Sequence, residues 1–84
     1  MTKQTYLMKE ITPKNGVLRQ VHLDALNKKC KFVELELGNR AIFYYDHEGE
    51  RRFISTSPVV EIKWNDVFLT INTMNTVYEL ELIE

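Results

Sequence analysis

Residues 54–64 read ISTSPVVEIKW, and the way this stretch is divided decides the fold. Ile54 ends one apolar, aromatic-rich segment, and Val59 to Trp64 begin another. Between them Ser55, Thr56 and Ser57 place three hydroxyls ahead of Pro58. Proline has no N–H for a ladder and sits badly inside a central strand, so Pro58 belongs at a corner or an edge. Hydroxyls before such a corner can satisfy the backbone groups it frees. The stretch therefore reads as a joint between two sheets rather than as a reactive site.

Downstream of the joint, Val60, Ile62 and Trp64 alternate with Glu61 and Lys63. Asn65-Asp66 suits a two-residue hairpin turn, because both residues tolerate positive φ. A second such turn at Met74-Asn75 sets Thr73 against Thr76, Ile71 against Tyr78 and Leu69 against Leu80. The expected core rows are Val60–Ile71–Tyr78, Ile62–Leu69–Leu80 and Trp64–Val67–Leu82. A one-residue slip would turn any strand's apolar set to water, so the register is strongly specified.

Upstream, KFVELELGNRAIFYYDHEGERRFIS covers residues 31–55 and offers a second three-stranded meander. Its turns are expected at Gly38-Asn39 and at Asp46-His47-Glu48-Gly49, the latter as a type I turn with a glycine bulge. Those turns pair Val33 with Tyr44, Leu35 with Ile42, Ile42 with Ile54 and Phe43 with Phe53. One face then holds Val33, Leu35, Ile42, Tyr44 and Ile54. The other holds Phe32, Phe43, Tyr45 and Phe53 beside Glu34, Glu36 and Arg51, an unusually aromatic surface.

The first thirty residues are less regular. Thr5 to Ile11 suit a strand that ends at Thr12-Pro13. Leu18, Val21, His22, Ala25 and Leu26 lie at helical spacing, while Val17, Val21, Leu23 and Ala25 also allow a strand; a short helix is the slightly better fit. The expected fold is thus mainly β, a single domain over residues 1–84. Two antiparallel three-stranded meanders pack as a small sandwich or close into a barrel, with an N-terminal strand and a short helix.

Eleven basic against twelve acidic residues leave a net charge of −1, so no global field draws in nucleic acid or an anionic membrane. No apolar run approaches the roughly 20 residues that cross a bilayer as a helix. A single cysteine, Cys30, cannot form an internal disulfide. With no secretory apolar segment after Met1, this points to a reducing cytoplasm. No phosphate-cradling glycine loop, HExxH, CxxC or GxSxG occurs, and an enzyme is not expected. Cys30 follows Lys28 and Lys29 yet reads as a buried thiol, and His22 as a core or boundary histidine. His47 within Asp46, Glu48 and Glu50 reads as a solvated turn, and Glu34-Glu36 and Glu79-Glu81 as solvated strand faces. Neither a cofactor nor a metal is expected.

The best functional candidate is a surface. Arg40, Arg51 and Arg52 flank the aromatics, and Phe32, Phe43, Tyr45, Arg51 and Phe53 form the expected partner-binding set. Tyr45 and Arg51, paired across the 46–50 turn, should be exposed beside Phe32. Aromatics with arginine make protein hot spots. The same residue types stack bases and pair phosphates, although the neighbouring glutamates oppose nucleic acid.

The pattern Thr56-Ser57-Pro58-Val59 followed by Thr73, Asn75, Thr76 and Tyr78 resembles one in small uncharacterised proteins of Gram-positive bacteria. LGNRAIF, residues 37–43, belongs to the same pattern, and the resemblance covers the C-terminal half. It implies a cytoplasmic bacterial accessory protein, often encoded near phage or mobile-element genes, and brings no catalytic residues. The reading is a non-catalytic protein-interaction module that uses the aromatic-arginine face or an exposed strand edge. The alternative is a small nucleic-acid-binding accessory protein of a mobile element.

Overall fold

A computed structural model describes residues 4–84 as a closed six-stranded antiparallel barrel in which the strands follow chain order around the wall. The elements are β1 (Tyr6–Pro13), α1 (Gln20–Ala25), β2 (Lys29–Glu34), β3 (Arg40–His47), β4 (Glu50–Asn65), β5 (Phe68–Thr73) and β6 (Thr76–Leu82). Both meanders, the N-terminal strand and the short helix are present. Residues of α1 cover the interior with His22 and Ala25, while Val21 and Leu26 pack beside them.

The joint is where the barrel turns. Residues 50–58 of β4 ladder with β3, and residues 59–65 ladder with β5. Both ladders shift register near the changeover, between Arg40 and Ile42 and between Val59 and Glu61. Bulges of this kind bend a strand and release backbone groups from pairing. The hydroxyls take those groups up. Thr56 Oγ1 accepts from the Ala41 N–H at 3.0 Å and donates to the Ser57 carbonyl at 2.7 Å. Ser57 Oγ accepts from the Asn75 N–H at 2.9 Å and donates to Thr73 Oγ1 at 2.9 Å. Thr73 Oγ1 in turn accepts from the Thr76 N–H and donates to the Thr76 carbonyl. The joint is thereby tied to the β5–β6 turn, and the Thr56 and Ser57 hydroxyls are occupied by structure.

The β5–β6 pairing follows the expected register, with Ile71 opposite Tyr78 and Leu69 opposite Leu80. The β4–β5 pairing does not. Its turn lies at Asp66-Val67, with Asp66 at φ 59°, and is closed by Asn65 and Phe68. Ile62 therefore meets Ile71, and Trp64 meets Leu69. The expected row of Trp64, Val67 and Leu82 is not formed as a core layer. Trp64 is 50% exposed at the barrel mouth, its ring centroid 6.2 Å from that of Tyr6. Val60 is exposed as well, because the bulge hands its place in the core to Val59.

The β3–β4 turn differs more consequentially. It is a two-residue turn, Glu48-Gly49, with φ 52° and 81°, closed by His47 and Glu50. Phe43 then opposes Ile54, and Tyr44 opposes Phe53. Relative to the longer expected turn this is a slip of one residue, which exchanges inside and outside along β4 relative to β3.

Candidate functional site

That slip parts Arg51 and Phe53 from the rest of the expected partner-binding set. Phe32, Phe43 and Tyr45 belong to the barrel interior and are buried, so they are not an exposed face. They share the inside with Ile54, not with Phe53. A chain of rings runs through the core: Tyr6 to Phe32 at 5.4 Å, Phe32 to Phe43 at 5.6 Å and Phe43 to Tyr78 at 5.7 Å between centroids. Tyr45, 1% exposed, does not lie with Arg51, which pairs with Asp46 instead. The expected Tyr45–Arg51 surface is therefore corrected.

Arg51 and Phe53 remain outside and have a different companion. Tyr44 stands next to Phe53 with ring centroids 5.6 Å apart, and the Arg51 guanidinium carbon lies 4.3 Å above the centre of the Tyr44 ring. Asp46 holds Arg51 Nε at 3.5 Å. Phe53 itself is 60% exposed. The outer strip is thus Tyr44, Phe53 and Arg51, with the cation resting on the aromatic face.

The strip runs into a groove of about 690 Å³ that the sequence reading did not anticipate. One wall is β4 at Phe53, Ile54 and Ser55. The other is the connection from Pro13 through Arg19 with Val21 and His22, and the turn at Asn75 and Thr76 closes one end. At its base the His22 ring meets Tyr78 edge-on, with centroids 6.2 Å apart. His22 Nδ1 accepts from the Arg19 N–H at 3.4 Å, which suits a neutral ring. Burial, with the Arg19 charge beside it, lowers the His22 pKa and keeps it so.

The groove's charge is one-sided. Lys14 and Arg19 line it, both are exposed, and no Asp or Glu is among the lining residues. Neither cation makes an ion pair among the described residues. A signal for this was present in the sequence: residues 11–23 contain Lys14, Arg19 and His22 and no acid.

The groove's β4 wall is also an unpaired strand edge. Among the described residues, residues 50–57 have ladder partners in β3 and in no other strand. A two-residue turn makes His47–Glu50 a pair that exchanges both hydrogen bonds, and the pattern alternates from there. Arg52 and Ile54 therefore turn their N–H and C=O toward β3. Arg51, Phe53 and Ser55 turn theirs away from it, and of these Phe53 and Ser55 line the groove.

The remaining candidates have structural surroundings. Cys30 is buried, and burial pushes its thiol up to about 12, far from the range of a reactive thiolate. His47 Nδ1 lies 3.2 Å from Lys28 Nζ, and its Nε2 lies 3.8 Å from Glu48. Among the described residues no group of three His, Cys, Asp or Glu side chains could hold a metal ion. No family model, curated protein or solved structure matches this chain.

Proposed function

We propose that this protein is a non-catalytic protein-interaction module that engages its partner along the free edge of β4 and the adjoining Tyr44–Phe53–Arg51 strip. The observation that carries the reading is the edge itself. Among the described residues, Arg51, Phe53 and Ser55 offer unpaired backbone groups along one edge, Phe53 and Ser55 beside an open groove, and an added strand is the partner that such an edge pairs with directly. The aromatics and Arg51 supply side-chain contact of the kind that dominates binding energy. The Thr56–Tyr78 resemblance supports a bacterial, cytoplasmic setting near mobile elements.

Ser55→Pro is the direct test. It removes an N–H that faces the groove and leaves the β3 ladder intact, so the melting temperature should hardly move. Partner capture by the tagged full chain should be lost. Undiminished capture by this variant would show that the edge is not used.

The outer strip favours a second reading, binding of single-stranded nucleic acid, because Tyr44 and Phe53 could stack bases while Arg51, Lys14 and Arg19 meet phosphates. Steep weakening of binding with salt, insensitive to Ser55→Pro, would identify it.

A further inference from the structure

We infer that the groove takes an extended peptide segment rich in aspartate or glutamate, added as a strand to the edge of β4 with its carboxylates meeting Lys14 and Arg19. The inference rests on the interaction-module reading and names the chemistry of the occupant. Three observations converge on it.

The first is the alternation along the edge. Phe53 and Ser55 each present both a donor and an acceptor on the groove side, and Arg51 presents the same pair further along the same edge. Only a partner that alternates N–H and C=O can satisfy such a row, and an extended polypeptide does so. Phosphates and sugars could accept from the N–H groups but would leave the carbonyls without donors from a regular backbone.

The second is charge. Lys14 and Arg19 stand opposite the edge, exposed and without ion pairs among the described residues, in a groove whose described lining contains no carboxylate. Alternate residues of an added strand point to one face at a spacing of about 7 Å. Acidic residues at alternate positions would therefore bring successive carboxylates to the cationic wall. Val17, Val21 and Phe53 supply apolar contact between them.

The third excludes a second copy of the chain. In a two-fold edge-to-edge pairing each β4 edge faces itself reversed. The segment 50–57 carries one acid, Glu50, which is ion-paired with Arg52, while Arg51 pairs with Asp46. Self-pairing would therefore bring no free carboxylate to the Lys14 and Arg19 cations. An acidic segment of another protein neutralises those charges instead.

The test is selection of a displayed library of random peptides, about ten residues long to span the edge, on the intact 84-residue chain. The most enriched peptide is then made with a fluorescein label and titrated by anisotropy. The expected consensus alternates acidic with β-branched or aromatic residues. Its affinity should fall about tenfold or more in the double variant Lys14→Gln/Arg19→Gln, whose melting temperature should match the wild type. Ser55→Pro should abolish binding, and amide shifts on titration should map to residues 14–22 and 51–55. A consensus without acids that is still lost in Ser55→Pro would overturn the acidic preference and leave the module reading standing. Enrichment indifferent to Ser55→Pro, or no enrichment at all, would overturn both. A labelled oligothymidylate that binds in the same groove while no peptide does would replace them with the nucleic-acid reading.

Discussion

Tyr45 and Phe53 are large aromatics on neighbouring strands, and a single change of turn length decides which of them the fold depends on. Tyr45 fills the interior, and Phe53 lies on the outer strip. Tyr45→Ala should cost about 3–5 kcal/mol in denaturant melts, through lost burial and the cavity left behind. Phe53→Ala should stay within about 1 kcal/mol. Equal losses would mean that the inside and outside of β3 and β4 have been misassigned. A second residue-scale effect concerns charge. Glu10 and Glu79 face each other across β1 and β6. The protonated Glu79 carboxyl donates a hydrogen bond to Glu10, and this bond, then burial and the Glu10 charge, raise the Glu79 pKa above its ordinary value. The folded chain thus holds this proton more tightly than the unfolded one. The stabilisation is complete below the ordinary carboxylate pKa and is lost as pH rises through the raised folded value. Glu79→Gln should therefore raise the melting temperature at neutral pH, and the gain should fade in acid below that ordinary value. A gain of the same size at both pH values would count against the pair as its source.

At the scale of elements, the turns separate what was legible in the sequence from what was not. Sliding a two-residue turn along by one changes every partner by two and leaves each side chain on its own face. That is the β4–β5 difference: Ile62 meets Ile71 instead of Leu69, yet both still face inward. Changing a turn's length by one exchanges the faces, as happened at Glu48-Gly49. Alternation could not detect the second error, because β3 reads Ala41-Ile42-Phe43-Tyr44-Tyr45 and is apolar on both sides. The groove was illegible for a related reason: a free edge depends on how far each ladder extends, which periodicity does not encode. The joint was legible because hydroxyls and a proline carry a local mechanism. Thr56→Val should leave the buried Ala41 N–H without its acceptor and cost about 1–3 kcal/mol. Pro58→Ala, by contrast, should cost about 1 kcal/mol or less through added freedom in the unfolded chain. Denaturant midpoints of the two variants check the order, and a reversal would return the joint to the list of unexplained features.

Across the whole molecule, closure is uneven, and this sets where the barrel should open first. β1 runs beside β6 over most of its length, but among the described residues it pairs with β2 only at Tyr6–Cys30 and Leu7–Lys29. The rest of that seam is held by backbone bonds at Met8, where its N–H donates to Lys28 and its carbonyl accepts from Asn27, and by α1 above it. Short ladders with few bonds open at lower free energy than central ones. Cys30 lies on this seam, and its buried thiol, raised to about 12, scarcely ionises while the barrel is closed. Alkylation must wait for an opening that restores an ordinary thiol. Iodoacetamide should therefore label Cys30 under native conditions at a rate set by seam opening, faster than global unfolding allows. Leu69→Ala, in β5 at the barrel centre, should lower global stability by about 2–4 kcal/mol and hardly change that rate as long as seam opening remains the cheaper route. Leu26→Ala, under α1, should accelerate it by loosening the cover of the seam. If Leu69→Ala instead sped labelling in full proportion to its loss of global stability, the thiol would be reached only by unfolding the whole barrel, and β1–β2 would be as secure a closure as any other pair of strands.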